Sequence, residues 1–244
     1  MTQKPKIAII HDAFLYRGGG ERLVTLMAKS LDADLISGFF SEGSFDPREL
    51  GFTGRMIPLG KPVFAKGIRH MLLKWRFFWH ARMLAHYDIV IFSGDCLGAL
   101  RHVRKDAKAY YYCHTPPRYL YDFRARYLAK MPVFLRPLFG AVFSYFAHVY
   151  EGHLARFTGI VTNSHNVQNR LRSYTGYDST IIYPPIDTTF FVPSSLAKET
   201  PTLRESQNTP QSQIPPIPKP QNYFFSWARL SPPKRVGMII DAFL

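Results

Sequence analysis

Apolar residues occur in short runs separated by stretches of helical period. Ile7 to Ile10 is a compact apolar run of strand length, and a turn holding Gly18, Gly19 and Gly20 follows it. ERLVTLMAKSL then sets Leu23, Val24, Met27, Ala28 and Leu31 on one face of a predicted helix. The alternation recurs. DLISGFF near Asp34, YDIVIFSG near Asp88, AKAYYYCH near Lys108, GIVTNS from Gly159 and STIIYPP from Ser179 all read as strands, with helical stretches between several of them. This order predicts a doubly wound, Rossmann-like α/β domain with a mostly parallel sheet and connections on both faces. In such folds ligands gather beyond the carboxyl ends of the strands. The segments after Ile10, Phe92, Tyr112 and Thr162 are therefore where chemistry is expected.

The pattern changes at Ser194. From there to Gln221 the chain is rich in Pro, Gln and Ser, with TPQSQIPPIPKPQ at its centre, and has few large apolar residues to form a core. It reads as a linker after a first domain of residues 1–193. Residues 222–244 open a second unit, with a strand over Tyr223–Trp227, a basic turn, and helix-period apolar residues from Val236. That is the beginning of a second domain, too small to hold a core of its own.

Composition narrows the class. With 46% hydrophobic and 15% aromatic residues in 244, a packed core is affordable, and Lys and Arg exceed Asp and Glu by 31 to 17, a net charge of +14. The excess favours an anionic partner, whether phosphates, nucleic acid or an acidic membrane surface. Cys96 and Cys113 lack ligand-like spacing and are expected to be buried thiols in a reducing compartment. The N-terminus has no apolar segment with a small-residue cleavage site, which argues against secretion. The most apolar stretch, residues 131–150, is interrupted by Arg136, Pro137 and His148 and is not expected to span a membrane.

Four features carry candidate chemistry. Gly18, Gly19 and Gly20 stand between a strand and a helix, where glycine permits positive φ and backbone N–H groups can approach an anion. The spacing is neither a dinucleotide fingerprint nor a P-loop, and a tight turn without a ligand is the competing reading. His114 follows the strand AYYYC and precedes Thr115, Pro116 and Pro117. It is read either as an imidazole presented above the sheet to a sugar hydroxyl, or as a loop histidine satisfied by a backbone carbonyl. Arg229 and Lys234 flank the basic turn of the second unit and suit a diphosphate, with a merely solvated turn as the alternative. The fourth feature is the stretch 53–87. It has no acidic residue but carries Arg55, Lys61, Lys66, Arg69, Lys74, Arg76 and Arg82 among Phe64, Met71, Leu72, Trp75, Phe78, Trp79 and Leu84. This is either a surface for anionic lipid headgroups or a core-facing helix with a solvated basic side. A nucleic-acid partner is not expected, because no reader motif is present.

In order, GGGERL, HTPPRYLYD from His114, TNSHNVQNRLRSYTGYDSTIIYPPIDTTFF from Thr162 and ARLSPPKRVGMIIDAF from Ala228 resemble the retaining glycosyltransferases of family 4, especially bacterial mannosyltransferase-like members. The resemblance implies a GT-B architecture of two Rossmann-like domains, the first binding acceptor and the second a nucleotide sugar. It assigns Gly18, Gly19 and Gly20 to the donor phosphates or transferred sugar, His114 to the reacting sugar, and Arg229 and Lys234 to the donor diphosphate, with no cofactor and no metal. Ser164 matches a helix cap. The implied reaction moves a hexose, with mannose from GDP-mannose as the leading choice, to a lipid-linked or polysaccharide acceptor with retention. Its setting is the cytoplasm, peripheral to the membrane. Family members carry two glutamates in the second domain, and residues 223–244 contain none. On that reading the 244-residue chain itself lacks transferase activity, and a non-catalytic membrane-surface module that binds glycan or lipid is the alternative.

Overall fold

The structure, a computed structural model, describes residues 4–65, 68–185 and residue 238. The Pro-rich linker, the start of the second unit, and with it Arg229 and Lys234, lie outside the described residues. Residue 238 aside, what is described belongs to the first of two units, Met1–Thr188.

Seven parallel strands form one sheet. They are β1 (Ile7–His11), β2 (Asp34–Ser37), β3 (Met56–Pro58), β4 (Ile89–Ser93), β5 (Lys108–Cys113), β6 (Gly159–Thr162) and β7 (Thr180–Ile181), in the spatial order β3-β2-β1-β4-β5-β6-β7. Among the described residues five α-helices accompany them: α1 (Gly19–Leu31), α2 (Ile68–His80), α3 (Arg124–Ala129), α4 (Arg136–Leu154) and α5 (His165–Thr175). The Rossmann-like α/β fold expected from the alternation is the fold observed.

The sheet works because successive side chains of a strand face opposite sides. Ile9 and Leu35 point into a small core with Val24 and Ala28 of α1. Ala8, Ile10 and Ile36 point the other way, into a larger core holding Phe77 of α2, Tyr150 and Leu154 of α4 and Leu171 of α5. Strands covered on both faces must be apolar throughout, which explains the unbroken run at Ile7–Ile10. Each fully buried Ile or Leu contributes about 1.5–3 kcal/mol relative to exposure.

Helix ends obey local chemistry. Glu21 lies in the first turn of α1 and Lys29 in its last, both favourable to the helix dipole. Ser164 caps α5, its Oγ accepting from the Val167 N–H, and Gly176 closes that helix in the left-handed region. Leu31, expected on the apolar face of α1, is instead exposed, because it is the last residue before the left-handed Asp32 and lies past the sheet edge of the helix. Strand β3 falls within the basic stretch and carries too few apolar residues for periodicity to reveal it.

The segment DLISGFF does not run on as one strand. It stops at Ser37, and Gly38 turns the chain so that its N–H donates to the Asp12 carbonyl at 3.1 Å, while Phe14 N–H donates to the Phe39 carbonyl at 3.0 Å. A Cβ on Gly38 would sit 2.5 Å from the Asp12 carbonyl oxygen and collide with the Leu73 side chain. This is how the chain beyond β1 is held over the sheet.

Helix α2 is core-facing on one side, as one of the two readings of the basic stretch expects. Leu73 and Phe77 face the core, and Arg76 is buried with them, donating to the carbonyls of Gly38 and Lys61. Arg76 therefore does not belong to the basic surface, nor does Leu84, which is fully buried. Met71, Trp75, Phe78 and Trp79 remain exposed. Residues Val133–Leu154 form the one described helical stretch long and apolar enough to cross a membrane by length and composition, although little of it is buried. Pro137 stands in its first turn, where proline is tolerated, and so starts α4 instead of breaking it.

Replacing Gly38 by Ala is expected to lower the unfolding free energy by about 1–3 kcal/mol through overpacking against backbone, measured as an earlier urea midpoint with an unchanged m-value.

Candidate active-site crevice

Strands β1 and β4 are neighbours in the sheet, yet the chain leaves them toward opposite edges. Such a switch point opens a crevice at the carboxyl ends. Register places His11 beside Ser93 across β1 and β4, and Ser93 beside Tyr112 across β4 and β5. One residue past the ends of these strands come Asp12, Gly94 and His114.

Three side chains join across this edge. His11 Nδ1 lies 3.0 Å from Ser93 Oγ, and Ser93 Oγ lies 2.8 Å from His114 Nε2. At the far end, His11 Nε2 is 3.1 Å from Asp12 Oδ1, which also accepts from the Ala13 N–H at 2.8 Å. A carboxylate only accepts, so it fixes a proton on His11 Nε2. In a neutral His11, Nδ1 then accepts from the Ser93 hydroxyl, and Ser93 Oγ accepts from His114 Nε2–H. That order leaves His114 Nδ1 as an acceptor. A proton added to His11 reverses the chain and makes His114 Nδ1 a donor.

His114 is therefore held by a serine hydroxyl, and the loop-histidine reading does not describe it. A loop histidine of that kind exists at His102, whose Nε2 is 2.8 Å from the Phe78 carbonyl. Burial, and then the nearby His11, push the His114 imidazole down to about 4, against the pull of Asp12. It is neutral at pH 7. Its backbone is fixed from the next strand, where Asn163 Nδ2 donates to the His114 carbonyl at 3.3 Å.

Asp12 is itself seated against glycine. Gly94 has φ +82, and a Cβ there would approach the Asp12 carboxyl carbon to 2.7 Å, so the position excludes side chains both by backbone region and by space. Beyond it, Asp95 meets Lys74 Nζ at 3.2 Å, and the same ammonium lies 3.4 Å from the Tyr119 hydroxyl. Burial raises the Asp95 carboxyl, and Lys74 opposes that rise. For Lys74, burial alone acts downward, but Asp95 and Tyr119 outweigh it and the net direction is up. The crevice encloses about 420 Å³ and is lined by His11, Asp12, Glu21, Asp95, His114 and Arg118, among others.

The glycines at the start of α1 come partly into this site. A Cβ on Gly20 would be 3.9 Å from His114 Cε1, so Gly20 borders the imidazole directly. Gly18 is the extended N-cap and Gly19 opens the helix. Among the described residues positive φ occurs at Gly51, Gly94, Gly176 and Asp32, so the triple glycine does not use it, contrary to expectation. Its use is closeness. The Glu21 carboxylate lies where a Gly18 side chain would be, and already occupies part of the positive field at the helix start.

His11, Asp12, Ser93 and Asp95 are not singled out by motif spacing. Their signal is positional, since each ends or follows a strand at the switch point. Cys96 and Cys113 are buried free thiols, as expected; burial pushes Cys113 up to about 11 and Cys96 well above its ordinary range. Among the described residues no group of three or more His, Cys, Asp or Glu is placed to hold a metal ion.

The sequence pattern of Glycosyltransferase Family 4 matches residues 17–190. Among solved structures the chain is similar to a glycosyltransferase from Rickettsia africae ESF-5, at 14% identity and a TM-score of 0.45, over 81% of this chain and 48% of that one. It is also similar to the C-terminal domain of a hydrogenase from Pyrococcus furiosus, at 17% identity and a TM-score of 0.29, over 42% of this chain and 84% of that one. The chain thus spans about half the length of the Rickettsia structure. No curated protein matches it in sequence.

Two outcomes are expected from the buried imidazole. Between pH 6.5 and 4 the unfolded chain binds a proton at His114 that the folded chain does not, so stability falls as pH drops through this window, by an amount of order 3 kcal/mol. His114→Gln flattens that slope in urea titrations at pH 7, 5.5 and 4.5. Ser93→Ala leaves two buried ring nitrogens without their partner and lowers stability by about 1–3 kcal/mol at pH 7.

Proposed function

Because the chain belongs to Glycosyltransferase Family 4, we propose that this crevice holds the sugar and acceptor hydroxyl of a retaining glycosyl transfer in a GT-B enzyme. The observation that carries the reading is His114, neutral and held by Ser93, beside the open backbone of Gly20. A neutral imidazole offers a hydrogen bond to a sugar hydroxyl without adding charge where an oxocarbenium-like centre forms. Glu21 near Gly18 argues that Gly18, Gly19 and Gly20 face the hydroxyls of the transferred sugar more than a phosphate, since carboxylate and phosphate repel.

On this reading the donor is a nucleotide sugar carrying a hexose, with GDP-mannose as the first to test, and Arg229 and Lys234 neutralise its diphosphate. The departing phosphate oxygen takes the acceptor proton on the same face, which gives retention. The acceptor is lipid-linked or a polysaccharide. Exposed Met71, Trp75, Phe78 and Trp79 on α2, with Lys61 and Arg82 nearby in sequence, support a place on an anionic membrane surface. Two buried free thiols are compatible with its cytoplasmic face.

The 244-residue chain by itself is expected to be inactive, so the test is transfer of labelled hexose by a longer parent protein with a complete second domain, from GDP-mannose and from other nucleotide hexoses, to lipid-linked and polysaccharide acceptors. His114→Ala should lower kcat/KM by about ten- to a hundredfold, the effect of one buried neutral hydrogen bond. Absence of transfer from every donor, together with sugar binding indifferent to His114→Ala, contradicts the proposal.

A further inference from the structure

A second cavity adjoins the crevice. It measures about 310 Å³, at the lower end of the ~300–1,000 Å³ range of small-molecule sites, and it lies between α2 and α4. Its walls are Phe77 and Phe78 of α2, Leu97 and Gly98 of the turn Leu97–His102, and Phe146 and Val149 of α4, with other aromatic residues around them. Its lining is mainly apolar, with Lys74, Asp95 and His153 as its charged or basic members.

Its position is more informative than its size. Asp95, Leu97, Pro117, Tyr119 and Tyr150 line both this cavity and the crevice that holds His114, so the two share a wall and meet there. Lys74, whose ammonium is 3.2 Å from Asp95, stands on the shared side, and His153 adds a second nitrogen base to the lining. On the outward side Phe78 and Tyr145 line the cavity and are also 42% and 65% exposed. Next to them in sequence, or one or two turns away, Trp75, Trp79 and Leu138 are exposed as well.

The polarity therefore runs in one direction. At one end are hydroxyl-binding and charged groups, in the middle an apolar chamber, and at the other an aromatic rim. Aromatic rims of this kind suit the boundary between water and lipid, where one end of the ring is apolar and the other wet. A uniformly polar saccharide does not match that sequence of environments. An amphiphile does, with its head at the crevice end and its chain leaving between Phe78 and Tyr145.

We propose that this cavity is the seat of the first segment of an apolar chain on a phosphate-headed, lipid-linked acceptor. The identity of the head group rests on the transfer reading above; the chain site rests on the cavity alone. The charge that favours an anionic head is the net +14 of the whole protein, while at the junction itself Asp95 offsets Lys74.

Gly98 allows a direct test. Gly98 lines the cavity and a Cβ there meets nothing within 4 Å, so a side chain can be introduced at this position of the wall. Calorimetric titration of the full chain with octyl, decyl and dodecyl phosphate, each below its micelle concentration, is compared with inorganic phosphate and with dodecanol. Affinity should rise about three- to fourfold per methylene, and inorganic phosphate should bind far more weakly than any of the three. Gly98→Leu should weaken dodecyl phosphate at least tenfold, with a circular dichroism spectrum and melting curve close to those of the wild type. Val149→Trp, which fills the chamber from α4, serves if Gly98→Leu does not fold. Trp75→Ser and Trp79→Ser should have the smaller effect.

Binding that ignores chain length, or that survives both filling variants and is lost in Trp75→Ser, places the chain on the outer surface and overturns the proposal. Chain-length-dependent binding, with no sugar transfer by the longer parent protein, upholds the cavity and removes the transfer reading. Transfer to water-soluble acceptors without any chain-length dependence does the reverse.

Discussion

The parallel pairing of β1 with β4 is the constraint on which the rest depends. His11 and Ser93 are 82 residues apart in sequence, and only this pairing brings them within 3.0 Å. Because β5 continues the same register, His114 arrives one strand further on, at the same edge. Side chains alternate along a strand, so a shift of one residue in the β1–β4 pairing would part Ser93 from His11, and one in the β4–β5 pairing would part it from His114. The apolar contacts that secure this register, Ile9 into one core and Ile10 into the other, thus determine the geometry of a polar site they do not touch.

The polar chain shapes what the site can do. Hydrogen bonds in a row polarise one another, and a buried row is stabilising only when each member is satisfied. From Asp12 through His11 and Ser93 to His114 every link has a partner, and the open valence appears at the end that faces the crevice. The site presents a neutral group, and places its charged pair, Lys74 with Asp95, to one side where the apolar chamber begins.

Much of this could be read from the sequence, for identifiable reasons. Strands buried on both faces are continuous apolar runs, so β1, β4, β5 and β6 were visible, and the proline pair after His114 marked a loop at a strand end. Strand β3 was not visible, because three residues with one Met and one Ile carry no period. The polar chain was hidden as well, since His11 and Ser93 lie inside apparent strands and their meeting depends on strand order, which no local pattern encodes. Arg76 was misread for a related reason: a guanidinium in a basic run looks solvated until a turn such as Gly38 presents a carbonyl to it. The place of the glycines at the start of α1 was legible, while their backbone region was not, because glycine is compatible with either sign of φ.

The most direct test of the account is an NMR titration of the His114 imidazole in the presence and absence of the sugar moiety of a transferable donor. The account predicts a ring that stays neutral at pH 6 and takes up its proton only near pH 4, with resonances that move when sugar is added and cease to move in Ser93→Ala. A ring that titrates near pH 6.5 and is indifferent to sugar would contradict it.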